Sequence, residues 1–266
     1  MPDLLYSKEF SVHSYELDFE GRVRLTALLN FLQDAAGDHA ARLGWSVTDL
    51  LKRNMTWVLS RYHVRVLRYP AWGERIGITT WPSGRHGYFA LRDFEAADTE
   101  GNTVLVGTTS WMVLHLERKQ PLKVDDILPT NYVLDRRALP DDFSPLPVLG
   151  PADREIPFRV EMNHLDLNKH VNNAVYVQWA LEAVPEGILS RRRPVDLEVS
   201  YRAEAFYGDT IQSRVGAVPP ADSAAVPLAG PNGISPEGAA PASEFIHQIV
   251  NAATGAELTR LRTRWE

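Results

Sequence analysis

Asp166, Asn168 and His170 stand at every second position of the run Asp166-Leu167-Asn168-Lys169-His170-Val171-Asn172-Asn173. A carboxylate, a carboxamide and an imidazole are the groups that acyl chemistry calls for. They offer a proton acceptor, a neutral donor for developing negative charge, and a second acid–base centre. In extended or turn backbone, alternate side chains share a side, so such a segment converges the three on one small volume. The same residues also fit an ordinary turn, since Asp and Asn before a helix act as caps and a loop His is normally solvated.

The elements that must hold this run are legible around it. Ala174 to Val184 reads as a helix, capped by Asn172 or Asn173 and stopped by Pro185. The polar run therefore sits at a helix N-terminus, where free N–H groups and the dipole favour negative charge. Further N-terminal, residues 8–20 read as a strand entering the turn Glu20-Gly21. Thr26 to Leu43 reads as a helix apolar on most sides, with Thr26 as N-cap and Gly44 just past its end. Strands are predicted over 56–69, 75–81, 88–97 and 103–116, with a break at Pro82-Ser83-Gly84. Residues 119–155 hold repeated prolines without periodicity and read as a linker or surface-hugging connection. Strands return at 156–162, 195–206, 210–218, 244–252 and 256–265. Between them, 217–243 is a low-complexity loop rich in Pro, Ala, Gly and Ser.

Composition narrows the chemistry. The 266 residues carry a net charge of −6 and no cysteine. Disulfides, cysteine-ligated zinc, iron–sulfur clusters and a thiol nucleophile are thereby excluded. Nothing points to nucleic acid, and no apolar run is long enough to span a bilayer. The start Met1-Pro2-Asp3-Leu4-Leu5-Tyr6 reads as neither signal nor transit peptide, which makes a cytoplasmic enzyme the expectation. His170 with the nearby His164 matches no metal spacing, so no metal and no cofactor are expected.

Laying Asp18 on Asp166 reveals a repeat. At this offset Phe31 falls on Trp179 and Ala35 on Ala183, and the polar stripe Asn30, Asp34, Asp38 falls on Gln178, Glu182, Glu186. Gly73-Glu74 matches Gly208-Asp209, Val64 and Val66 match Val199 and Tyr201, and Gly101 and Trp111 match Gly255 and Trp265. Each copy pairs one strongly apolar helix with antiparallel strands that must cover it. The expected fold is α+β, a tandem or double hotdog. Its units span 1–118 and 156–266, the second carrying the active site. Opposite Asp166, Asn168 and His170 the first copy has Asp18, Glu20 and Arg22, so one competent site per chain is expected.

The run Asp166 to Pro185 resembles the signature of plant and bacterial acyl-acyl-carrier-protein (acyl-ACP) thioesterases. Thr56-Trp57-Val58-Leu59-Ser60-Arg61, Trp81-Pro82-Ser83-Gly84 and Phe89-Ala90-Leu91-Arg92-Asp93-Phe94 resemble that family too. The resemblance implies hydrolysis of a fatty acyl thioester of acyl carrier protein, with Asp166, Asn168 and His170 in the site. It adds Glu204, in Tyr201-Arg202-Ala203-Glu204-Ala205, where the family has a Cys in place of Ala205. Without sulfur, water activation is the route left open, by Glu204 or Asp166 with His170 as relay. Asn168 and N–H groups near Asn173 or Ala174 would polarise the carbonyl. Period-2 counting through Ala203 instead points Glu204 away from its own helix.

Leu28, Phe31, Leu32 and Trp57 are candidates for the acyl path. Arg191-Arg192-Arg193 and the alternating Arg260, Arg262, Arg264 are candidates for docking an acidic carrier protein, and both monomer and homodimer stay open. Competing readings are an acyl-CoA thioesterase on the same fold, a hotdog hydratase or dehydratase, and a non-catalytic acyl-binding protein. Hydratases usually place proline after the Asn, where this chain has Lys169.

Overall fold

The computed structural model describes residues 3–218 and 243–266. The chain divides into two compact units, 1–143 and 144–266. The loop expected over 217–243 falls, at 219–242, outside the described residues.

Unit 1 runs β1 (Tyr6–Ser11), α1 (Leu25–Arg42), α2 (Val47–Leu51), β2 (Met55–Val66), β3 (Arg75–His86), β4 (Phe89–Asp98), β5 (Thr103–His115), β6 (Gln120–Leu122) and α3 (Val124–Ile127). Unit 2 runs β7 (Arg154–Arg159), α4 (Asn173–Glu182), α5 (Glu186–Leu189), β8 (Pro194–Tyr201), β9 (Thr210–Ala217), β10 (Glu244–Asn251) and β11 (Glu257–Trp265). The antiparallel order is β1-β3-β4-β5-β2 in the first and β7-β9-β10-β11-β8 in the second, the same order at equivalent positions. The duplication read from the sequence is thus a duplication of topology.

Helix α1 buries Leu25, Ala27, Leu28, Leu29, Phe31, Leu32, Ala35, Ala36 and His39, leaving Asn30 and Asp34 exposed. The ammonium of Lys8 on β1 reaches Asp34 at 2.7 Å and Asp38 at 2.6 Å, which ties the polar stripe to the sheet edge. Gly44 takes the left-handed conformation just past the helix, at φ 75°. Helix α4 packs on β9, β10 and β11 and buries Ala174, Tyr176, Val177, Trp179 and Ala180.

Several expected boundaries are corrected. The N-cap of α1 is Arg24, not Thr26, and no side chain caps it. Strand β1 ends at Ser11, because a short helical turn at Ser14–Glu16 and the turn at Asp18 follow. Strand β3 passes through Pro82–Gly84 by shifting register rather than breaking. Strand β8 stops at Tyr201, because the N–H groups of Arg202 and Ala203 both turn to one acceptor, Leu258 O, at 2.9 and 3.1 Å.

The stretch expected as a linker is not bare. It carries β6 and α3, and its middle is strapped to unit 1 by Asp93. That carboxylate, 0 % exposed, accepts from Ser83 Oγ at 2.6 Å, Thr108 Oγ1 at 2.7 Å, Ala138 N at 2.7 Å and Arg137 Nε at 3.1 Å. Trp81 Nε1 donates to Arg136 O at 2.8 Å. Residues 144–153 belong to unit 2, where Asp153 N donates to Val215 O at 2.8 Å. Among the described residues no helix is long and apolar enough to cross a membrane.

Two consequences can be measured. Asp93→Ala strands Arg137 and three other donors, so it should cost about 3 kcal/mol of stability, read as a lower urea midpoint. The second concerns His39 and His247, both buried. Burial holds His39 at about 4 and His247 at about 3, against an ordinary 6.5. Between those values the unfolded chain binds protons that the folded chain refuses. Stability is therefore intact above pH 6.5 and lost as pH falls towards 4, by up to about 1.4 kcal/mol per pH unit for each histidine. His247→Gln should flatten the acid limb of a melting-temperature-versus-pH curve by one such increment.

Candidate active site

The run Asp166–Asn173 forms a turn that feeds directly into α4. One carboxylate oxygen of Asp166 accepts the backbone N–H groups of Asn168 at 2.8 Å and His170 at 3.2 Å. The Asp166 N–H in turn donates to His170 O at 2.8 Å. Unit 1 builds the same turn: Asp18 Oδ1 accepts from Glu20 N at 2.9 Å and Arg22 N at 3.0 Å. Since unit 1 lacks the carboxamide and the imidazole, the bonding of Asp166 belongs to the turn itself. Among the described residues this carboxylate makes no bond to the imidazole.

The turn presents His170 to Glu204. His170 Nδ1 lies 3.0 Å from Glu204 Oε1, and the two side chains are 34 % and 49 % exposed. Glu204 stands on the irregular segment after β8, so the period-2 count that aimed it away from the helix fails where the strand ends. The pair is open enough to meet a substrate, yet one side of the imidazole is closed by the ring of Phe206, edge-on at 5.2 Å. With Nδ1 facing the carboxylate, Nε2 is the ring nitrogen left for proton transfer. Phe206 was not anticipated from the sequence, where only its nearness to Glu204 could have marked it.

Helix α4 begins immediately afterwards. Asn172 is its N-cap and accepts from Ala174 N at 2.9 Å. The cap consumes the Ala174 N–H, one of the two expected to polarise a carbonyl. The Asn173 N–H has no acceptor among the described residues and remains a candidate donor. The Asn168 side chain is exposed and makes no hydrogen bond among the described residues. His164 serves the turn: its Nδ1 accepts from Glu161 N at 3.0 Å, and its ring meets Trp179 edge-on at 5.2 Å.

The chain matches a known family along most of its length. Residues 3–132 match the acyl-ACP thioesterase N-terminal domain, and residues 151–266 the acyl-ACP thioesterase C-terminal domain. The chain belongs to the acyl-ACP thioesterase family. An oleoyl-acyl carrier protein thioesterase of Coriandrum sativum is 26 % identical over 283 residues, covering 98 % of this chain and 77 % of that protein. A palmitoyl-acyl carrier protein thioesterase of Gossypium hirsutum is 29 % identical over 279 residues, covering 98 % and 64 %. The 12:0-ACP thioesterase structure from Umbellularia californica superposes with a TM-score of 0.82 at 25 % identity, covering 100 % of this chain and 98 % of that one. An acyl-ACP thioesterase from Bacteroides thetaiotaomicron, 22 % identical, shares the fold with a TM-score of 0.80 over 99 % and 98 % of the two chains. The chain is a thioester hydrolase with the double-hotdog α+β fold, and its reaction is hydrolysis of acyl-ACP.

In this acyl-ACP thioesterase Ala205, where the resemblance implies a cysteine, is fully buried. That position is closed to solvent, whereas His170 and Glu204 are not. Of the residues expected on the acyl path, Leu28, Phe31 and Leu32 are buried on α1, with Phe31 stacked on Phe10 at 4.8 Å. Trp57 does not join them. It packs against a separate cluster of Leu50, Met55, Val113 and Val124, with its indole N–H on Trp45 O at 2.8 Å. The strand arginines are neutralised internally: Arg260 by Glu257, Arg262 by Glu244 and Glu198, Arg264 by Glu266. Arg191 and Arg192 have no carboxylate partner among the described residues.

Lys169 adopts φ 63° in the turn before α4, where Gly21 at φ 77° stands in unit 1. The left-handed conformation costs a side chain about 1–2 kcal/mol, and glycine gives back about 0.5–1 kcal/mol in chain entropy. Lys169→Gly should therefore stabilise the enzyme by about 0.5 kcal/mol, a small rise in urea midpoint.

Proposed function

We propose that the His170–Glu204 pair activates a water molecule for hydrolysis of the acyl-ACP thioester. The observation that carries this reading is the 3.0 Å approach of Nδ1 to a carboxylate oxygen in a part-exposed site, within a chain that contains no cysteine. The carboxylate keeps Nδ1 protonated and the ring oriented. Nε2 takes a proton from water as the oxygen attacks the acyl carbon. The carbonyl oxygen becomes an oxyanion beside the free Asn173 N–H and the Asn168 carboxamide, at the positive end of α4. When the tetrahedral intermediate collapses, the C–S bond breaks, the thiolate leaves with the proton from the imidazolium, and a free fatty acid is released. The product is consistent with termination of fatty acid synthesis.

In this reading Arg191 with Arg192 faces the acidic carrier protein. Matched acyl-ACP and acyl-CoA esters separate this from a CoA thioesterase. A kcat/KM advantage for the ACP ester that shrinks with salt is expected, and equal values would favour CoA.

Site variants test the mechanism. Glu204→Gln should lower kcat by about a thousandfold, the scale of a lost acid–base partner. Asp166→Asn keeps an oxygen acceptor for the turn and should lose far less. Free fatty acid released from a panel of acyl-ACPs, measured by mass spectrometry, reads both. Near-normal turnover in Glu204→Gln would remove the pair from the role.

A further inference from the structure

The segment that carries Glu204 lies outside any strand, yet it is held at two points through one residue. Ala205 O accepts from Val171 N at 3.2 Å, and Ala205 N donates to the phenol oxygen of Tyr176 at 2.8 Å. Tyr176 is in the first turn of α4, a few residues beyond His170, and is 3 % exposed. Its ring is gripped edge-on by Trp179 at 5.6 Å and Tyr201 at 6.1 Å, so the hydroxyl is fixed in space. Burial, with the nearby carboxylates of Glu204, Asp209 and Asp166, pushes the phenol well above its ordinary range, and it stays neutral.

The duplicated unit is a built-in control. Its bonding around this segment follows that of unit 2 step for step. Val23 N donates to Pro70 O at 2.9 Å where Val171 N donates to Ala205 O. Gly73 N donates to Val12 O at 3.0 Å where Gly208 N donates to Val160 O at 3.1 Å. Ala71 N reaches the Glu74 carboxylate at 3.0 Å where Phe206 N reaches Asp209 at 3.0 Å. At the clamp the two diverge. Leu28 replaces Tyr176, and Pro70, which has no N–H, replaces Ala205. The fold therefore forms this segment without a phenol. The donor and acceptor occur together only in the unit that also has His170 and Glu204, whose counterparts are Arg22 and Tyr69.

We propose that Tyr176 is a positioning residue for the hydrolysis: its phenol oxygen, by accepting the Ala205 N–H, fixes the Glu204 segment against His170. This rests on the reading of Glu204 as part of the reacting pair. A buried N–H cannot lose its acceptor without moving towards another, and a displacement of about 1 Å at a reacting group is worth roughly a hundredfold in rate.

The test uses the full chain. Tyr176→Phe keeps the ring and removes the acceptor. Expected are a fall in kcat of about ten- to a hundredfold with KM little changed, and faster hydrogen exchange at the Ala205 amide. Ser213→Ala is the stability-matched control, since it deletes a buried hydrogen bond from β9 to α4, Ser213 Oγ to Trp179 O at 2.8 Å, without touching the Glu204 segment. It should leave kcat unchanged. If Ser213→Ala loses kcat equally, Tyr176 acts only through helix stability and the proposal is overturned. Glu204→Gln run alongside separates the two claims. An inactive Glu204→Gln with a fully active Tyr176→Phe sinks the clamp alone, while a fully active Glu204→Gln sinks the reading beneath it. Should Tyr176→Phe not fold, exchange in the unaltered protein decides: a protected Ala205 amide supports the clamp, and rapid exchange overturns it.

Discussion

Each half of this molecule turns into its central helix on one carboxylate oxygen that accepts two backbone N–H groups, from Asp18 in unit 1 and Asp166 in unit 2. A tight turn exposes N–H groups that the following helix cannot satisfy, and a short acidic side chain at its first position satisfies them locally. The direction in which the turn's fifth residue leaves is then fixed. In unit 1 that residue is Arg22, in unit 2 His170. The imidazole inherits its orientation from a bond that the fold requires in any case.

The second requirement is a carboxylate for the imidazole to face. Glu204 supplies it from a segment that has left its strand, because Arg202 and Ala203 share a single acceptor and the ladder ends. Irregular backbone is poorly held unless its own polar groups find partners. Here the partners come from the start of α4, through Val171 and Tyr176. The turn before the helix thus carries His170, and the first turn of the helix carries Tyr176, which bonds the residue next to Glu204. Unit 1 shows what remains when such chemistry is absent: an apolar Leu28, a proline, and the same fold.

Charge elsewhere is mostly spent on structure. Asp93 holds the proline-rich stretch to unit 1, Lys8 ties α1 to β1, and the arginines of β11 close on neighbouring glutamates. A count of basic residues along β11 reads as a docking stripe, but paired charges offer little field to an approaching partner.

Much of this was legible in the chain. Periodicity located both central helices, the offset between Asp18 and Asp166 revealed the repeat, and the missing cysteines removed a thiol nucleophile from the chemistry. The change from Leu28 to Tyr176 at matched positions was also visible, although nothing in the sequence showed which N–H the hydroxyl would meet. Other features lay beyond one-dimensional reading. Alternation through 195–206 aimed Glu204 outward, because counting assumes that a strand continues, and only the hydrogen bonds to Leu258 show where it stops. Residue types and spacing set what chemistry the chain could perform. Which carboxylate meets the imidazole was decided by the tertiary structure, since Asp166 satisfies its own turn through neighbours four residues away at most, whereas Glu204 reaches His170 across 34 residues of chain by folding.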